Sequence, residues 1–412
     1  MLVHAAYFEK LASIKDDNSP QWKSTLAGLA VLRVVDNWLD LGAQVVTTDI
    51  TGLRAVGEAI HAVSEGNPIR TILQGITTAI QQAEVAQIHL IASNMLAYGR
   101  ALHYAGEWHL SHSVFADLLD RAQQGGDTET AIQAALRLGF VARRIGDLEA
   151  SSQAYELAER EAQRTQDLEG CLRARLGFAQ NTITRGNLPQ ADQMLASVAA
   201  EAQSKHLPTV VADALHARAH LCHTRQDYAT AVRLGYSALE YAPDALARDR
   251  ILGDIAASFA ELGHLAAAQD ANLIIAASTQ EEWLRQQAMV NLLHIAVKAG
   301  HQLQFEHYRN VLTNTVLQPY LRAYYHLFSG EAFKRFGSLS AAVEEFQAAI
   351  AVASVNNLNQ VIIAAEDALS KVEAPSTPGN VAPAWPVDLD QIAVAIGEMR
   401  ELTTACKMGV AI

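Results

Sequence analysis

Turn-forming residues recur along this chain at Gly66, Gly106, Gly146, Gly186, Gln226, Gly263, Gly300 and Gly337. The intervals are 40, 40, 40, 40, 37, 37 and 37 residues. Each position lies between two stretches whose apolar residues fall three and four apart, the spacing of one helix face. The chain therefore reads as helix, turn, helix, repeated. Such a unit cannot bury its apolar face alone and has to stack on its neighbours. The most explicit copy is 329–349, SGEAFKRFGSLSAAVEEFQAA. Gly330 and Ala342 have almost no side chain there, so two helices can approach closely. Phe333 and Phe346 fill the space beside that approach.

Other copies carry parts of the same pattern. Leu138-Gly139 precedes Gly146, and Tyr155 and Ala158 follow it. Gly99 and Phe115 flank Gly106, while Asp227-Tyr228 and Ala231 follow Gln226. The order G-x2-[YF] then A-x3-F resembles the tetratricopeptide repeat. The resemblance covers roughly 50–358 and implies an all-α, right-handed superhelical solenoid of about eight antiparallel helix pairs. The intervals exceed the usual 34 residues, as in bacterial sensor superhelices of the same kind, and HEAT-type repeats are the structural alternative.

Composition agrees with helices. Half of the residues are hydrophobic, and only 6% are aromatic. Alternating β-branched runs are absent, which argues against strands. The net charge of −13 speaks against a general nucleic-acid binder, whose affinity rests on neutralising phosphates. Cys171, Cys222 and Cys406 are odd in number and far apart, as expected of reduced thiols in a cytoplasmic protein. Glu9 and Lys10 interrupt the apolar run that a secretory leader needs, and no run is long enough to predict a membrane span.

Four regions follow in order. Residues 1–50 predict two N-terminal capping helices, the second with Ser19 as N-cap and Pro20 in its first turn. Residues 51–372 predict the repeats and a C-terminal capping helix. Residues 373–387, with Pro375, Pro378, Pro383 and Pro386, predict a semi-extended linker. Residues 388–412 predict an amphipathic helix with Leu389, Ile392, Ile396, Met399 and Leu402 on one stripe. Its expected seat is the last repeat, the groove, or another subunit. In the groove, Glu398 and Glu401 would meet arginines.

No phosphate-binding glycine loop, nucleophile elbow or H-E-x-x-H motif is present, so no enzyme and no cofactor are expected. His216, His220 and His223 share a helical face, a spacing that could suit zinc. Three ligands strung over two turns seldom converge, so the expectation is no metal. The resemblance implies that the first helix of each pair lines a groove, at ten, six, three and two residues before the turn. Those positions give Arg100, His103 and Tyr104, then Phe140, Arg143 and Arg144, then His216, His220 and His223. They continue with His294 and Lys298, and with Glu331, Lys334 and Arg335. A basic groove with interleaved aromatics suits an extended, acidic protein or peptide segment. The expected function is a non-enzymatic scaffold or adaptor in the cytoplasm, contacting neither nucleic acid nor membrane. The alternative is a regulatory sensor of a small effector or signalling peptide, controlling transcription or signalling. The oligomeric state is left open.

Overall fold

The protein was described from a computed structural model covering residues 4–42, 50–356, 358–372 and 386–407. Among these residues there are twenty α-helices and no strand. The chain divides into two compact units, Met1–Met194 and Leu195–Ile412.

The first unit opens with α1 (Ala5–Ser13) and α2 (Pro20–Leu41). Ser19 caps α2 by accepting the Trp22 N–H at 3.2 Å, and Pro20 stands in the first turn. Three helix pairs follow: α3 (Ile50–His61) with α4 (Pro68–Gln82), α5 (His89–Tyr104) with α6 (Trp108–Gly125), and α7 (Thr128–Ile145) with α8 (Leu148–Thr165). Next come α9 (Leu168–Thr184) and α10 (Leu188–Ser204), and the unit boundary falls within α10. α2 packs on α3 and α4, as a cap on the first pair should. α1 reaches further, against α6, and Tyr7 hydrogen-bonds Tyr98 of α5 at 3.0 Å.

The second unit holds α11 (Pro208–Thr224) with α12 (Tyr228–Leu239), α13 (Ala245–Leu262) with α14 (Leu265–Ser278), and α15 (Glu282–Ala299) with α16 (Gln302–Thr313). Then come α17 (Pro319–Arg335) with α18 (Leu339–Val355), the single helix α19 (Asn359–Ser370), and α20 (Val387–Lys407). Successive first helices α11, α13, α15 and α17 touch one another, so side chains on their shared face meet across helices.

The turns explain the spacing. Gly106, Gly146, Gly186, Gln226, Gly263, Gly300 and Gly337 all have positive φ. Gly66 does not; Asn67 caps α4 there instead, accepting from Ile69 N–H at 3.0 Å. Gly126, Gln166 and His206, between pairs, are also left-handed. From 106 to 226 a left-handed residue thus stands every 20 residues, a half-period beneath the 40-residue repeat. The residue after each sends its N–H back to close the preceding helix, as Asp147 does to the Ala142 carbonyl at 2.9 Å. Asp127, Asp147, Asp167 and Asp227 then cap the following helix. Beyond Gln226 the second helices α12, α14 and α16 have 12, 14 and 12 residues, against 18 in α6 and α8. That shortening, partly offset by longer connections at 240–244, 279–281 and 314–318, takes the interval from 40 to 37.

Small residues set the packing within pairs and between successive pairs. A Cβ on Gly99 would stand 2.5 Å from the Phe115 ring, and one on Gly330 would stand 2.5 Å from Phe346. Tyr155 is gripped twice, 2.8 Å from a Cβ on Gly139 and 2.3 Å from one on Gly177.

The C-terminal helix takes neither of the two seats expected for it on its own chain. Leu389, Ile392 and Ile396 are buried against α12 and α14, on the second-helix side of the unit. Arg233 pairs with Asp388, and Arg400 with Asp270 at 2.9 Å. α20 therefore neither caps the last repeat nor occupies the first-helix face. Glu398 and Glu401 are exposed and meet no groove arginine. Its apolar stripe was read correctly except for Leu402, which is exposed. Residues 373–385 of the expected linker lie outside the described residues.

Candidate functional site

Each unit presents its own face of first helices. In the first unit, His103 stacks on Tyr104 at 4.5 Å and lies 4.8 Å from Phe140 and 5.0 Å from Trp108. Arg143 sits over the Phe140 ring at 5.4 Å, and Arg144 over Trp108 at 4.9 Å. Among the described residues no carboxylate pairs with Arg100, Arg143 or Arg144. The Arg143 Nε is buried without a hydrogen-bond partner. Burial and the neighbouring charge of Arg143 together lower the Arg144 pKa. Five of the six expected residues, Arg100 apart, thus gather in one aromatic-backed cationic patch. Trp108 belongs to it and was missed, because it follows the turn and so falls outside the first-helix register.

In the second unit the expected cations are already engaged. Lys298 pairs with Glu261 at 3.0 Å. Arg335 donates to the Lys298 carbonyl at 3.2 Å, and Lys334 to the Lys371 carbonyl, so both satisfy helix C-termini. The basic groove therefore does not extend through this unit. The α13 residues at the same offsets before Gly263 contribute, since Gly253, Ala257 and Glu261 are small or acidic.

What the face holds instead is a cleft of about 640 Å³, with His216, His220, His223 and His294 in its lining. His216 Nε2 donates to Asp254 Oδ2 at 2.7 Å. Burial alone would raise the Asp254 pKa, but the hydrogen bond and charge of His216, with His220 and Arg250, outweigh it and hold the carboxyl low. Ser258 donates its hydroxyl to the Asp254 carbonyl, so His223 Nδ1, 2.9 Å away, carries the proton of that contact. Burial lowers the His223 pKa, which keeps the ring neutral. His294 lies flat on Phe328 at 3.7 Å, and burial with the nearby Lys298 charge brings its pKa to about 3. Burial raises Glu331, 3.6 Å from His294, to about 7, against the pull of Lys298.

The cleft exists because α13 carries Gly253 and Ala257 where its neighbours carry large side chains. It continues beyond the expected register. Arg250, Gln287 and Tyr324 stand thirteen residues before their turns, Asp254, Asn291 and Phe328 nine, and Trp283 and Tyr320 seventeen. Extending the three-and-four spacing toward the helix N-termini would have found these rows.

Another polar group lies in the first unit. Ligand-type atoms of His4, Asp36 and Asp117 gather within 4.8 Å of one another. Arg121 already supplies a cation there, 3.1 Å from Asp36 and 3.7 Å from Asp117. Burial and the Asp36 charge raise Asp117 to about 6. The group ties α1, α2 and α6 together. The imidazoles of His216, His220 and His223 form no such gathering among the described residues.

No family model matches the chain, and no curated protein matches it. No helix among the described residues is long and apolar enough to cross a membrane.

Proposed function

We propose that the chain is a tetratricopeptide-like, non-enzymatic scaffold that binds an acidic segment of a protein partner on the first-helix face of its first unit. The observation that carries this reading is the pair Arg143 and Arg144. They lie over aromatic rings without a carboxylate partner, in a protein of net charge −13. A guanidinium backed by a ring and lacking an internal counter-ion is available for a partner's carboxylate, to which it can donate two parallel hydrogen bonds. Tyr104, half exposed, offers apolar contact beside it. Buried Cys171 and Cys222, with no disulfide between them, support a cytoplasmic setting. The acidic balance supports a partner other than nucleic acid.

The test is fluorescence anisotropy with a labelled glutamate-rich peptide. Charge reversal at Arg143 and Arg144 is expected to weaken binding by at least about tenfold and to flatten its salt dependence. Unchanged binding by the reversed protein refutes the assignment. A second reading, a regulatory sensor of a small effector, rests on a separate observation: the cleft of the second unit has the size of a small-molecule site.

A further inference from the structure

The cleft of the second unit also says what kind of molecule would fill it. Its wall on α15 and α17 is aromatic: Trp283, Tyr320, Tyr324 and Phe328. Tyr320 is half exposed and lies 4.9 Å from Tyr324, which in turn lies 5.5 Å from Phe328. These rings form a tilted aromatic wall, with interplanar angles of 58° and 44°. His294 covers one face of Phe328, which leaves Tyr320 and Tyr324 to receive a flat ring.

Charge in the cleft is unevenly answered. Asp254 is held by His216, and Glu261 by Lys298. Arg250 is exposed, acts on Asp254 only at a distance, and makes no ion pair or hydrogen bond of its own among the described residues. It stands in the same row as Gln287 and Tyr324, so the unanswered cation lies level with the aromatic wall. A cationic ligand would find both lining carboxylates already engaged and Arg250 opposed to it. An anion meets a free guanidinium, which accepts a carboxylate in bidentate fashion. In the same lining Gly253 and Ala257, which carry little or no side chain, leave space that such a molecule would take.

From this we infer that the cleft binds a small ligand that joins a planar ring to a carboxylate, the ring against Tyr320 and Tyr324 and the carboxylate at Arg250. The inference rests on the effector-sensor reading and names the ligand class for it.

The full chain is titrated calorimetrically with 2-naphthoate, 2-naphthylmethylamine, cyclohexanecarboxylate and acetate. Naphthoate is expected to bind once per chain, about tenfold or more tighter than the other three. Arg250→Met, at an exposed side chain, is expected to remove the preference for naphthoate over the amine. Ala257→Leu, which fills the cleft, is expected to abolish binding while thermal unfolding stays cooperative. Tighter binding of the amine than of naphthoate, or naphthoate binding unmoved by Arg250→Met, overturns the ligand class. If the amine binds and Ala257→Leu displaces it, the effector cleft stands and only the class falls. If no probe binds, or none is displaced by Ala257→Leu, the effector-cleft reading falls with it.

Discussion

Gly177→Ala isolates the packing rule on which the repeats depend. Two effects oppose each other. In a helix interior, alanine is favoured over glycine by about 1 kcal/mol, so the local effect stabilises. The new Cβ, however, would lie 2.3 Å from the Tyr155 ring, where ordinary carbon contacts need about 3.5–4.0 Å. The ring has to retreat by more than about 1 Å. It has nowhere to go, because Gly139 approaches from the other side and a Cβ there would stand at 2.8 Å. Tyr155 is also buried, so it cannot swing into solvent. Overpacking of this kind costs about 1–3 kcal/mol. The net expectation is a loss of up to about 2 kcal/mol after the helix gain is subtracted. Gly57→Ala in α3 is the control, since a Cβ there meets nothing within 4 Å and only the stabilising effect remains. The two variants should therefore differ by about 1–3 kcal/mol in urea unfolding followed by circular dichroism. A double-mutant cycle completes the test: in a Tyr155→Ala background, Gly177→Ala should no longer destabilise. If Gly177→Ala is as stable as Gly57→Ala in the otherwise unchanged chain, the clamp is not what sets this packing.

Gln226 holds a left-handed conformation at φ 62 where the other repeats have glycine, so Gln226→Gly should raise stability by about 1 kcal/mol in the same unfolding measurement. Glu331 has a folded-state pKa raised from 4.5 to about 7. The unfolded chain gives up that proton first, so its contribution lowers stability as pH rises through this window, and the loss is complete above about 7. Glu331→Gln should match the unaltered chain near pH 4 and exceed it at pH 8, by an amount that solvent reduces because the side chain is 40% exposed; equal pH profiles of the urea midpoint would refute this. Truncation after Lys371 should bare the face of α12 and α14, lowering the unfolding temperature and increasing dye binding to exposed apolar surface, with no change in peptide affinity at Arg143 and Arg144.

Much of the fold was legible because it is local. A turn such as Gly146-Asp147 needs a left-handed residue and then a helix cap, and both announce themselves in adjacent letters. Where other letters do the same work the signal weakens: Gln166 and His206 adopt the conformation without glycine, so the 20-residue half-period was not read. The seat of α20 was illegible for another reason. Its stripe shows that it must be buried, but the receiving surface on α12 and α14 is assembled from residues more than a hundred positions earlier, such as Arg233 and Asp270. The His4, Asp36, Asp117 and Arg121 group shares this property, since no local spacing joins its members.

The site was half legible, and the reason is chemical. Register places a residue on the first-helix face but does not say what its neighbours have already done with its charge. Arg143 and Lys334 occupy the same offset before their turns. Arg143 lies over Phe140 and hydrogen-bonds Tyr155 but pairs with no carboxylate among the described residues, whereas Lys334 is spent on the Lys371 carbonyl at the end of α19. Lys298 shares its offset with Arg144, yet Glu261 answers it from the preceding first helix, while among the described residues no carboxylate pairs with Arg144, which lies over Trp108. The same positions in a repeated frame therefore yield a cationic patch in one unit and, in the other, cations engaged by neighbouring repeats beside a ring-lined cleft. What differs is the residue contributed by the adjacent repeat, and that is a property of pairs of repeats rather than of any single copy.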